Sequence, residues 1–114
     1  MIINMRIFLL LLVCALLVSC DIATPFVSYR VTCDSGTVDI TYATSGGGTS
    51  QAIAASAPWN YFLERPRNGD FVYVSAQNNQ DYGSVTVEIR MGDRVYRTQT
   101  STGAYCIATV SGEI

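Results

Sequence analysis

From Val27 onward, apolar side chains recur at every second position, and that period constrains the fold more than any other feature. In Val27-Ser28-Tyr29-Arg30-Val31-Thr32-Cys33, the residues Val27, Tyr29, Val31 and Cys33 share one face. The same alternation groups Val38, Ile40 and Tyr42 in 37–44, Val72, Val74 and Ala76 in 70–77, and Val85, Val87 and Ile89 in 84–91. Successive side chains of a strand point to opposite sides of a sheet, so this pattern makes strands with one buried and one solvated face. The Ala-rich 51–56 is a weaker candidate; 57–64 carries Trp59, Tyr61 and Phe62 after Pro58, and 94–100 follows 84–91 through a tight hairpin at Gly92-Asp93. A last strand over 104–110 puts Cys106, Ala108 and Val110 on one face. Turn-forming residues separate these runs at Asp34-Ser35-Gly36, Gly46-Gly47-Gly48, Pro66 to Gly69, Asn78-Asn79-Gln80-Asp81, Gly92-Asp93 and Thr102-Gly103. Helical periodicity is absent from this stretch. The expected class is all-β: an immunoglobulin-like antiparallel β-sandwich of about seven strands over one core.

The N-terminal stretch follows different rules. Arg6 precedes Ile7 to Val18, an almost unbroken apolar run. A helix that crosses a bilayer needs about 20 such residues. The run matches instead the roughly 7–15-residue apolar core of a secretory signal. Leu17-Val18-Ser19-Cys20 then looks like a lipobox, where a diacylglycerol is attached to the thiol and the chain is cut before it. The expected division is a signal peptide over 1–19, the lipidated Cys20 and a short tether over 20–26, and the sandwich domain over 27–114. The expected location is the cell envelope, lipid-anchored to a membrane and facing the periplasm or the outside. Asp21 after the modified cysteine resembles an inner-membrane retention signal.

Cys14 lies in the apolar run, which leaves Cys33 and Cys106 in the domain. Two thiols in an oxidising compartment suggest a disulfide. Closing a loop of this length would stabilise the fold by about 4 kcal/mol in the chain-entropy model. Both thiols point toward the core on this register, and neighbouring first and last strands would bring them within bonding range. The alternative is two buried free thiols acting as small apolar groups.

Charge and composition exclude several functions. Without Arg6, six arginines face nine acids, a side-chain charge of −3, and nucleic-acid binding needs a basic footprint. The chain has no histidine and no lysine, so the usual general bases and metal ligands are missing. Ser35 near Asp34 or Asp39 lacks a base and reads as turn chemistry. The acids are scattered, with no calcium-loop spacing, and Gly46-Gly47-Gly48 lacks the Lys-Ser/Thr of a phosphate loop. No catalytic residue, cofactor or metal is expected, and the chain is not expected to be an enzyme.

Trp59 and Tyr61 fall on one face of their strand and form a candidate interaction surface for a partner, glycan or lipid. The alternative is a plug in the sandwich core, because small domains use large aromatics to bury area.

Several strand-and-turn segments together resemble a known group. They are Tyr29-Arg30-Val31-Thr32, Val38-Asp39-Ile40-Thr41-Tyr42, the triple glycine with Thr49-Ser50-Gln51, and Pro58-Trp59. Gly69 to Asn79, Gly83-Ser84-Val85-Thr86-Val87 and Gly103-Ala104-Tyr105 continue the series. The pattern is similar to the MmpS type, small mycobacterial membrane proteins, and to related bacterial lipoproteins. The resemblance implies an extracytoplasmic immunoglobulin-like sandwich on a membrane anchor, accessory to an RND-type exporter. The lipobox departs from it, since MmpS proteins carry a transmembrane anchor. The functional expectation is a non-enzymatic protein-interaction module on a membrane, with a lipid- or glycan-binding lipoprotein as the alternative.

Overall fold

The structure is a computed structural model that describes residues 26–114. The expected signal over 1–19, the lipidated Cys20 and Asp21 lie outside the described residues. Eight strands form: β1 (Val27–Cys33), β2 (Thr37–Ala43), β3 (Thr49–Ser56), β4 (Trp59–Phe62), β5 (Phe71–Asn78), β6 (Ser84–Met91), β7 (Arg94–Thr102) and β8 (Ile107–Glu113). They make two four-stranded antiparallel sheets, ordered β4-β1-β6-β7 and β3-β2-β5-β8. The all-β sandwich read from the alternation is therefore present, with eight strands in place of about seven.

The inward faces are those the period selects. Val27, Tyr29, Val31, Val85, Val87 and Ile89 come from one sheet, and Val38, Ile40, Val72, Val74, Ala76, Ala108 and Val110 from the other. Burying each β-branched side chain stabilises the fold by about 1.5–3 kcal/mol. β-Branched residues also suit the pleated backbone, so local preference and burial agree.

Only β2–β3 and β6–β7 are hairpins within a sheet; every other connection crosses between the sheets. The chain enters at Phe26 at one end, called proximal. The β2–β3, β4–β5 and β6–β7 loops and Ile114 gather there. The β1–β2, β3–β4, β5–β6 and β7–β8 loops form the distal end.

Two expectations are corrected. The first and last strands are not neighbours: β1 lies between β4 and β6, whereas β8 pairs with β5 in the opposite sheet. The last strand also begins later than read, at Ile107, so Cys106 sits in the preceding turn. The chain spends Gly103 to Cys106 crossing from one sheet to the other, with Tyr105 at φ 50°.

Candidate functional site

The two outer faces differ in charge. On the β4-β1-β6-β7 sheet, Arg30, Glu88 and Arg90 occupy the middle, and Arg90 pairs with Glu88 at 3.8 Å. Threonines fill most of the remainder, with Thr86 and Thr100 hydroxyls 2.8 Å apart. On the β3-β2-β5-β8 sheet, the register turns Gln51, Thr41, Ser75 and Thr109 outward in one row, and Tyr73 and Ser111 in the next. Towards the distal end the row is Asp39, Gln77 and Ile107, with Ile53 beside it on β3. Asp39 and Glu113 are the charged residues these strands turn outward. Ile53, Phe71 and Ile107 are exposed. This face is broad and apolar at its margins, and its centre carries few charges, as the centres of partner interfaces do.

Its two edges are treated differently. The β8 edge is covered by β7: Thr109 N donates to Gln99 Oε1 at 2.7 Å, and Tyr96 Oη donates to the Glu113 carbonyl at 2.9 Å. The Tyr96 ring lies where a side chain on Gly112 would stand, with a Cβ there only 2.8 Å from the ring. The β3 edge, Thr49–Ser56, has no strand on its outer side among the described residues, and it carries no charge and no proline. Edge strands are usually blunted by such features. Here the interruption is a bulge, where Ala54 takes φ 51° and its N–H donates to Asp39 Oδ1 at 2.9 Å. That bond and one from Asn79 Nδ2 hold the Asp39 carboxyl below the usual carboxylate range.

Trp59 and Tyr61 point inward from β4, opposite Val31 and Tyr29. Both are half-buried and packed against the core. Tyr42 lies 5.0 Å from the Trp59 ring and 4.6 Å from the Tyr61 ring, and Tyr61 stacks on Tyr29 at 6.0 Å. Their ring faces therefore meet other rings along the open side of the sandwich. The outward residues of β4 are Asn60 and Phe62.

Cys33 and Cys106 are unbonded in this structure. Cys33 Sγ lies 3.3 Å from Ser35 Oγ, whereas Cys106 Sγ donates to the Ser101 carbonyl at 3.3 Å. Cys33 pairs with Val85 and Val85 with Ser101, so two strand spacings, about 10 Å, separate Cys33 from the residue that holds Cys106. The expected disulfide is not seen, and the adjacency of first and last strands that would have brought the thiols together is not present. Burial pushes the Cys33 thiol up, but hydrogen bonds from the Ser35 hydroxyl and from the Ser35 and Gly36 backbone outweigh it and leave the pKa below the ordinary thiol value.

Asn78 was read as a turn residue; it is the buried last residue of β5, 0 % exposed. Its Oδ1 accepts from Ser35 Oγ at 3.0 Å and Gln80 N at 3.1 Å, and its Nδ2 donates to the Tyr82 carbonyl at 2.7 Å. Its backbone N–H donates to the Cys106 carbonyl at 2.9 Å. One side chain thus ties together the β1–β2 and β5–β6 loops, and its backbone holds the β7–β8 loop. The signal was present: Asn78 continues the inward series Val72, Val74, Ala76. Gly83 completes the junction at φ 104°, because a side chain there would collide with Ser35. Ser35 thus serves this network, and none of its partners is a base.

Among the described residues, no group of three or more Cys, Asp or Glu side chains converges to hold a metal, and no helix is long and apolar enough to cross a membrane. No protein-family model matches the sequence, and a comparison with curated proteins finds no match.

Proposed function

We propose that this chain is a lipid-anchored, non-enzymatic interaction module held at the outer side of a membrane through Cys20. Its partner-binding surface is the outer face of the β3-β2-β5-β8 sheet. The observation that carries this reading is the contrast in charge between the faces. Three charged side chains, Arg30, Glu88 and Arg90, stand in the middle of one sheet, whereas the other presents hydroxyls and amides, with its charges, Asp39 and Glu113, towards the ends beside Ile53, Ile107 and Phe71. Desolvating such a face costs less than desolvating one with central charges. The open β3 edge beside Ile53 adds backbone groups to which a partner strand can pair. The apolar run ending at Cys20 supports the anchor, and Asp21 favours the inner membrane. The resemblance to MmpS-type proteins makes an RND-type exporter the first partner to examine.

The test is site-specific photo-crosslinking in native membranes. A crosslinker at Ile53 or Ile107 is expected to trap the same protein repeatedly, and one at Thr98, on the charged sheet, is not. Equal labelling from both faces, or none from Ile53 and Ile107, overturns the assignment.

A further inference from the structure

The proximal end carries a feature of which protein binding on the sheet face uses only Phe71, at its border. Phe26, at the point where the described chain begins, is 77 % exposed. Phe62 and Phe71, 66 % and 58 % exposed, stand at the same end, turned outward on opposite sheets. The three phenyl rings thus border one end of the sandwich. Arg65 and Arg67 lie in the β4–β5 loop between Phe62 and Phe71, lining an open cleft of about 430 Å³ with Ser45, Gly46, Glu64 and Asp70. Neither arginine makes an ion pair among the described residues, where Arg90–Glu88 is the pair within 4.0 Å. The distal end differs: its exposed aromatics, Tyr82 and Tyr105, both carry hydroxyls.

We infer that the proximal end docks on the bilayer surface, with Phe26, Phe62 and Phe71 entering the interfacial region and Arg65 and Arg67 meeting lipid phosphates. The inference rests on the reading of Cys20 as the anchor. Five residues separate Cys20 from Phe26, a reach of about 20 Å at full extension. The acyl chains therefore hold the proximal end within reach of the lipid. A lone exposed Phe is ordinary on a protein surface; three around the end nearest an anchor add an interfacial contact that orients the anchored domain on the lipid. Glu64 and Asp70 in the same loop balance the two arginines, so phenyl burial and not bulk charge drives the contact. Docking is accordingly expected to survive high salt. Seated this way, the domain stands end-on, with the outer face of β3-β2-β5-β8 along its side and Tyr82 and Tyr105 farthest from the lipid.

The test uses the full chain, matured in cells and reconstituted into phosphatidylcholine–phosphatidylglycerol vesicles with brominated acyl chains, which quench nearby tryptophan. In a Trp59→Phe background, tryptophan is placed by Phe71→Trp or by Tyr82→Trp. Should that background fail to fold by circular dichroism, Trp59 is kept and its own quenching subtracted. Position 71 is expected to be quenched at least about threefold more than position 82, as interfacial depth requires. Equal quenching in protein that sediments with the vesicles overturns end-on docking and leaves the anchor standing. Protein that stays in the supernatant overturns both.

Discussion

The proximal and distal ends of this sandwich are joined across the sheets by different means. Near the proximal end the pin is Tyr29, fully buried on β1, whose hydroxyl donates to the Ala43 carbonyl at 2.8 Å and accepts from Tyr73 N at 3.3 Å, both on the opposite sheet. At the distal end the pin is Asn78, whose amide serves loops that also contain both domain cysteines or their partners. The proximal pin lies within the strands, and the loops at that end are tied by their own backbone bonds, Ile114 N to the Asp70 carbonyl and Gly92 N to the Phe26 carbonyl among them. The distal pin sits among its loops and rigidifies them. The distal loops thus share one buried amide, whereas the proximal loops are joined by separate backbone bonds and carry the exposed phenyl rings.

Removing the distal pin should have the largest effect. Asn78→Ala deletes the amide and strands buried carbonyls and donors, with an expected loss of about 3 kcal/mol in urea unfolding. Hydrogen exchange should then speed up in the loops around Ser35, Tyr82 and Gly103 and stay unchanged around Gly46. Acceleration at both ends would show that the ends are not independently held.

Tyr29→Phe is the matching cut at the other end. It leaves the Ala43 carbonyl and the Tyr73 N–H without their partner, for an expected loss of about 2 kcal/mol. Burial raises the Tyr29 pKa, a hydrogen bond from Tyr73 N partly offsets this, and the neighbouring Tyr61 adds to the rise. A raised folded-state value means that the contribution is whole below the unfolded value, about 10, and is lost as pH rises past it. Alkaline unfolding should therefore be shallower in the Phe variant than in the parent.

Replacing the proximal phenyl rings should hardly alter the fold. Phe26→Ser with Phe71→Ser is expected to change stability by less than about 0.5 kcal/mol, because exposed side chains with few contacts contribute little. A larger loss in thermal unfolding would assign those rings a structural role.

Two small effects sharpen the account of the distal junction. Ser35→Ala removes a hydrogen bond that favours the Cys33 thiolate, so alkylation of Cys33 at neutral pH should slow by about twofold. Asp39, held below the usual carboxylate range by Ala54 N and Asn79 Nδ2, stabilises the fold above its unfolded value, about 3.9, and loses that contribution as pH falls through its folded value. Asp39→Asn should flatten the loss of stability in acid, and an unchanged acid slope would show that the β3 bulge does not depend on the carboxylate.

The sequence by itself determined the class of fold and the inward set. Val27, Tyr29, Val31, Val72, Val74, Ala76, Val85, Val87 and Ile89 were all legible, because period-2 burial is a local property of a strand. It also showed Trp59 and Tyr61 on one face, and a weakly acidic chain without histidine or lysine. The tertiary structure alone decided which strands are neighbours. Pairing depends on loop crossings and contacts between residues far apart in the chain, so alternation cannot say that β1 and β8 lie in different sheets. For the same reason the separation of Cys33 from Cys106, the burial of Asn78 and the contrast between the two outer faces became visible only once the sheets were assembled. Each is a relation between strands, and a strand's own sequence carries its faces but not its neighbours.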